Sequence, residues 1–267
     1  MKFPRSLLSV AIAAAFTASL VAQQPSTGYH RVACMKIKPD KGSEFRKWAA
    51  EDFHKFAQSR VDSGAITTWY LLRSVNPVGE SAQCDYLSVS MYPGAPTEPM
   101  GMEDLGPALK KAGLTMSPQE YVDRRNALTT LISDDIFQNR DYVGSSKKGD
   151  YFVVNYMKVP DIDEWLAYEK KVWHPLAEAM AKDGTKTGWS VNVRVLPTGS
   201  DVPFQAVTVD IFPSWDAIFK DDTQFVDRFK KTHPDRELGT TFEQFAKLRT
   251  ITSTQLYHLD DSITSMK

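Results

Sequence analysis

The same residue types recur along this chain at a nearly fixed distance. "EDFHKFAQSRVDSG" (51–64) and "KVWHPLAEAMAKDG" (171–184) place Phe53 against Trp173, His54 against His174, Ala57 against Ala177 and Gly64 against Gly184, all 120 residues apart. The register extends outward from there. Phe45 meets Trp165, Trp48 meets Tyr168, Trp69 meets Trp189 and Pro77 meets Pro197, and "VSMYP" (89–93) meets "VDIFP" (209–213). Nearer the start, Tyr29 pairs with Tyr151 and "MK" at 35–36 with "MK" at 157–158, now 122 apart. A shift of two residues absorbed in one loop is what a duplicated unit leaves behind, and a long repeat of this kind decides the fold.

Each copy shows one order of elements. "YHRVACMKIK" and "YFVVNYMKV" are mixed apolar, β-branched runs that read as strands. Helices follow over 42–61 and 161–182, stopping before "DSG" and "KDG", where glycine ends a helix. "AITTWYLLRSV" (65–75) and "TGWSVNVRVL" (187–196) alternate as strands, and "CDYLSVSMY" and "FQAVTVDIF" give a third strand each. Helical segments are expected around 101–112, 117–132, 214–231 and 240–250. "GPALKKAG" (106–113) and "RRNALTTLISDD" (124–135) both read as helix, and closing strands as 135–142 and 254–259. The pattern is β-α-β-β-α-β, twice. It is the ferredoxin-like unit, over 28–145 and 150–262. The expected class is α+β, two antiparallel sheets packed face to face, each burying the surface that one helix layer leaves bare.

The first residues give an address. Lys2 and Arg5 precede the apolar run "LLSVAIAAAFTASLVA" (7–22), which ends in small residues and is followed by polar "QQPSTG". The run is shorter than the ~20 residues of a membrane-spanning helix and reads as a cleaved leader over 1–22, hence a periplasmic or secreted protein. Cleavage would remove two positive charges and take the formal charge from −1 to −3. With no basic patch, nucleic acid is not an expected partner, and no later segment is apolar enough to span a membrane. A fused pair of units is expected as a monomer or homodimer. Two cysteines, Cys34 and Cys84, cannot build a structural zinc site and match no redox motif. Export permits a bridge between them.

The element order and the repeat together resemble the dimeric α+β-barrel superfamily, with both halves in one polypeptide. The resemblance covers nearly all of 28–260 and speaks for fold more than for function. It implies that the first and third strands of a unit are antiparallel neighbours. Cys34 and Cys84 could then face each other, as a disulfide or as two buried thiols; Tyr156 and Phe204 stand nearby in the second copy. Some relatives bind haem. Haem-degrading ones use a first-strand Asn, a third-strand Trp and a second-helix His. Asn155 matches the first, but no Trp lies in 204–212, and His233 reads as a loop residue. Other relatives are cofactor-free monooxygenases or decarboxylating and cyclising enzymes holding aromatic or polyketide substrates between sheet and helices. By that resemblance, Trp69, Tyr70, Arg73, Asn155, Tyr156, Trp189, Asn192 and Arg194 are the ligand-binding candidates. Core packing for the tryptophans and solvated strand ends for the arginines stand beside that reading.

His54 and His174 complete the candidate set. On a helical wheel at about 100° per residue both fall opposite the apolar stripe, Phe45, Ala49, Phe53 and Phe56 in the first copy. They read as solvent-facing or helix-packing residues inherited by copying, as a site covered by other helices, or as ligands. Glu51 and His54 form an E-x-x-H pair, but Lys171 replaces the glutamate in the second copy, so no metal is expected. No nucleophile elbow or P-loop appears. Three functions remain open: an exported small-molecule binder or monooxygenase-like enzyme needing no cofactor, with an aromatic-lined cleft; a haem protein; or a structural module whose pockets have closed.

Overall fold

The computed structural model describes residues 28–265; the leader predicted over 1–22 lies outside them. The first half runs β1 (Tyr29–Ile37), α1 (Gly42–Trp48), α2 (His54–Asp62), β2 (Thr68–Asn76), β3 (Tyr86–Tyr92), α3 (Met102–Lys111), α4 (Pro118–Leu128) and β4 (Thr129–Gly144). The second runs β5 (Tyr151–Lys158), α5 (Ile162–Tyr168), α6 (His174–Asp183), β6 (Gly188–Leu196), β7 (Ala206–Phe212), α7 (Trp215–Phe219), α8 (Phe225–Thr232), α9 (Leu238–Leu248) and β8 (Thr250–Thr264). The correspondence at 120 residues reaches backbone detail. A π-helical turn precedes α2 (Ala49–Phe53) and α6 (Glu169–Trp173), and Asn76-Pro77 and Leu196-Pro197 are both cis.

The strands do not form two sheets with free edges. They close into one barrel in the order β1-β3-β2-β8-β5-β7-β6-β4. Two seams join the halves. β2 pairs antiparallel with β8, Thr68 opposite Thr264, and β4 pairs antiparallel with β6, Gly144 opposite Gly188. Each half thus lends its last strand to the second strand of the other. The physical reason is edge satisfaction: a four-stranded sheet leaves two rows of unpaired N–H and C=O groups, and closure pairs them.

The strand β4 also begins earlier than the sequence predicts. "TTLISDD" belongs to β4, not to a helix, because α4 stops at Leu128. The β-branched pair Thr129-Thr130 and Ile132 favours the extended chain, and β1 supplies a ladder as far as Ile37 opposite Thr129. Likewise the helix expected over 214–231 is two, α7 and α8.

Alternation sends one residue of each pair outward and the next inward. Outward residues meet the helices. In the first half Phe45, Trp48, Trp69, Tyr86 and Tyr121 form one core; in the second Trp165, Trp189, Met157 and Leu248 form another, extended by Leu176, Phe229 and Phe245. Inward residues, among them Cys34, Leu87, Val89, Phe152, Val207 and Tyr257, form a third cluster inside the barrel. Cys34 and Cys84 are bonded there as a disulfide, Cα atoms 5.3 Å apart, tying the loop before β3 to β1.

One glycine pins a seam. Gly144 has φ +76°, and a Cβ there would collide with the carbonyl oxygen of Thr187 as β4 meets β6. Gly184, φ +79° after α6, has nothing near its missing Cβ. Gly184→Ala should therefore lose only about 1–2 kcal/mol, the conformational cost, whereas Gly144→Ala should lose clearly more. Paired denaturant melts check this; equal losses would contradict the tight seam.

Candidate functional site

The barrel is not filled. Its interior encloses a cavity of about 720 Å³, within the 300–1,000 Å³ range of small-molecule sites. The wall divides by strand. β3 on one side of the barrel and the adjacent β5 and β7 on the other contribute apolar residues, among them Leu87, Val89, Phe152, Val154, Val209 and Ile211. The adjoining strands β1, β4 and β6 contribute polar ones: His30, Asp135, Asn139, Ser190 and Asn192.

Most of the polar groups satisfy one another. Asn139 Nδ2 donates to Asn192 Oδ1 at 3.1 Å, and Asn192 Nδ2 donates to Ser190 Oγ at 3.1 Å. Ser146 Oγ donates to the Tyr70 hydroxyl at 2.8 Å. The hydroxyls of Tyr156 and Tyr257 lie 3.3 Å apart, and Tyr257 donates to Gln255 Oε1 at 2.5 Å. Asp135 accepts from Ser133 Oγ at 2.9 Å and is paired with the Arg194 guanidinium, which lies 4.4 Å over the Phe204 ring. Burial lifts the phenols of Tyr70 and Tyr156 above the usual tyrosine range and that of Tyr257 to about 12, so they stay protonated at neutral pH. His30 is different. It makes no hydrogen bond or ring contact within the described residues, and burial lowers its pKa to about 4, leaving a neutral imidazole facing the cavity.

Of the residues the sequence singled out, the structure brings Tyr70, Tyr156 and Asn192 to the cavity wall. The others lie elsewhere. Trp69 and Trp189, each 1% exposed, point outward into the helix layers, where Trp69 Nε1 donates to Ser88 Oγ at 2.9 Å. Arg73 pairs with Asp260 at 3.0 Å. Asn155 bonds Thr208 and Thr254 on the outer face of β5. Arg194 stands behind Asp135 rather than in the lining. The space between sheet and helices, where the resemblance implied a substrate, is occupied by these aromatics. The cavity is lined in part by aromatics, as the sequence led one to expect: Phe137, Phe152 and Phe204 together with Tyr70, Tyr92, Tyr142 and Tyr156, set among aliphatics.

His54 and His174 are not outward. His54 Nδ1 lies 2.7 Å from Asp261 of β8 and His174 Nδ1 2.9 Å from Asp141 of β4. Each ring stands edge-on to Trp69 or Trp189, centroids 6.4 and 6.3 Å apart. The wheel misplaced them because the π turn just before each inserts a residue and rotates the succeeding helix by about 100°. Each pair crosses between halves, so the two fasten the seams.

Sequence reasoning missed His30, Asp135 and Asn139. His30 shares a strand face with Val32 and Cys34 in "YHRVAC", and a polar residue in an apolar row is the signal that could have found it. Asp135 and Asn139 lie within the closing strand expected over 135–142, but nothing local shows that their face of it is the inner one.

A bound haem would need an axial ligand and cations for its propionates. His54 and His174 lie outside the cavity, packed edge-on against the outward Trp69 and Trp189. His233 is buried with Nε2 2.8 Å from the Val172 carbonyl. The cavity offers His30, but its lining contains no Lys or Arg. These residues do not fit haem.

No family model matches the chain, and no curated protein does. Solved structures do match. A candidate monooxygenase of Lactobacillus acidophilus aligns over 90% of this chain and 97% of its own, TM-score 0.53, at 10% identity. One from Fusobacterium nucleatum aligns over 90% and 95%, TM-score 0.54, at 7% identity. An anthrone oxidase-like protein aligns over 91% and 95%, TM-score 0.50, at 11% identity. At such identities the likeness is one of fold: an α+β protein with a closed eight-stranded antiparallel barrel. Among the described residues no helix is long and apolar enough to cross a membrane.

Two buried groups give opposite pH signatures. Glu169, 0% exposed, accepts from Trp165 Nε1 at 2.9 Å and from Arg249 at 2.6 Å, and its Oε2 has no partner. Burial raises its pKa to about 7 against the Arg249 charge. The folded state thus holds a proton that the unfolded chain releases above about 4.5, and stability falls as pH rises from about 4.5 to 7. His30 works the other way: the unfolded chain takes up a proton near 6.5 and the folded one only near 4, so stability falls as pH drops through that window. Relative to wild type, Glu169→Gln should lose stability on acidification from pH 7 to 5 and His30→Phe should gain it. Melting temperatures across that range check this, and parallel curves for all three proteins would contradict it.

Proposed function

We propose that this chain binds a largely apolar small molecule inside its barrel, and that it does so as an exported protein made of two ferredoxin-like units, 28–145 and 150–262, fused after duplication. The observation that carries the reading is the pattern of change between the copies. Residues that build the scaffold recur: Trp69 and Trp189, His54 and His174, Asp141 and Asp261, Pro77 and Pro197. The apolar wall is partly kept, Val32 matching Val154 and Val89 matching Val209, while polar positions facing the cavity differ between the copies. His30 stands where the second copy has Phe152, Tyr70 where it has Ser190, Leu72 where it has Asn192, Asn139 where it has Leu259. A structural module has no reason to keep its shell and diversify a cavity it leaves unfilled, since unfilled space costs stability.

Binding is favoured over catalysis. The neighbours described as candidate monooxygenases support a reading in which the ligand is oxidised without a cofactor, and such chemistry needs a base on the ligand. Of the titratable groups in the lining, Asp135 is paired with Arg194, burial keeps Tyr70, Tyr142 and Tyr156 protonated, and His30, at a pKa of about 4, is a weak base. A haem protein of the same fold remains the contrasting case, recognised by a Soret band on reconstitution.

Nile red, a neutral apolar dye, should bind the purified protein and brighten. Val89→Trp and Val209→Trp, equivalent positions on β3 and β7, fill the cavity from inside. Each should weaken dye binding at least tenfold while the protein still melts cooperatively. Unchanged binding in both variants would place the dye elsewhere and overturn the proposal.

A further inference from the structure

We infer that the cavity selects an uncharged, mostly apolar ligand carrying one hydroxyl or amide group, and that His30 is the residue recognising that group. This rests on the binding reading above and adds to it the ligand's charge and its polar handle.

Charge is argued from the wall. The lining contains no Lys or Arg. Its one carboxylate, Asp135, already holds Arg194, whose second nitrogen, Nη1, donates to the Phe204 carbonyl at 3.4 Å. An anionic ligand would shed its water, meet Asp135, and find no free cation in return, a loss of several kcal/mol for a desolvated charge. His30 offers no cation either, because its environment keeps it neutral at pH 7.

The polar handle is argued from the groups left unpaired. Asn139, Asn192 and Ser190 form a chain, Ser146 is bonded to Tyr70, and Tyr156, Tyr257 and Gln255 form another chain. His30, like the Tyr142 hydroxyl and the Gln83 amide, has no such partner, and its neutral imidazole carries one N–H donor and one acceptor nitrogen. Neither nitrogen is sealed inside the wall; both are reachable from the cavity, where a polar group of a bound ligand can take them. The position does not demand histidine, since the same place in the second copy is Phe152, buried in the same wall. An expensive polar residue where the scaffold accepts an apolar one marks the contact point for a ligand.

Three probes of one size separate the possibilities: naphthalene, 2-naphthol and 2-naphthoate, each used to displace Nile red at pH 7. In the wild type 2-naphthol should displace the dye at roughly threefold to tenfold lower concentration than naphthalene, the worth of one net hydrogen bond, and 2-naphthoate should be the weakest. His30→Phe should bring naphthol and naphthalene to the same value while both still displace. His30→Gln, which keeps donor and acceptor, should restore part of the difference. Naphthoate competing as well as naphthol, or a naphthol advantage that survives His30→Phe, would overturn the inference while leaving the binding reading intact. A wild type that does not take up Nile red at all would sink both.

Discussion

Closure of the barrel is the constraint on which the rest depends. Neither half can finish its own sheet. β2 and β4 each present an open edge, and so do β6 and β8; pairing β2 with β8 and β4 with β6 satisfies all four at once. The side chains echo the backbone. His54 reaches Asp261 on the borrowed strand, His174 reaches Asp141 on the lent one, and a tryptophan backs each ring. Even the paired termini of the seams match, glycines Gly144 and Gly188 on one side and threonines Thr68 and Thr264 on the other.

Closing eight strands fixes the width of the interior. A barrel of this size is just wide enough for side chains to fill or for one small ligand to occupy. Here Val89, Val154, Val207 and Val209, with Ser190 and Asn192, are too short to meet across the axis, and a lumen of about 720 Å³ results. The outer layers are packed differently: four tryptophans, Trp48, Trp69, Trp165 and Trp189, are essentially inaccessible between strands and helices. Dense packing outside and space inside belong to the same strands, set by which side of the pleat each residue takes.

Much of this was legible in the residues. The repeat and the element order follow from spacing and alternation, because period-two patterns and turn glycines are local; the opposite faces of the neighbours Trp69 and Tyr70, both offered as one ligand site, were not separated. The position of the cavity was not legible. Alternation shows that His30 and Trp69 occupy opposite faces only once it is known which face is inside, and that depends on closure through seams joining residues distant in the chain. The π turns were equally hidden: no residue type announces one, yet a single inserted residue moved His54 and His174 from the expected outer side to the strand seams. The early start of β4 was hidden too, since Leu, Ile and Thr mixed with charge over 129–134 suit a helix or a strand until a neighbouring strand decides.

The central claim is that the ligand site is the lumen and not the helix-covered outer face. Methyl-resolved NMR of the labelled protein titrated with 2-naphthol tests it most directly. The lumen account requires shifts concentrated on Val32, Val154 and Ile211, with Ile66, Leu109 and Leu176 of the outer layers barely moved. Shifts confined to those outer methyls would show that the ligand enters between sheet and helices, and the account would be wrong.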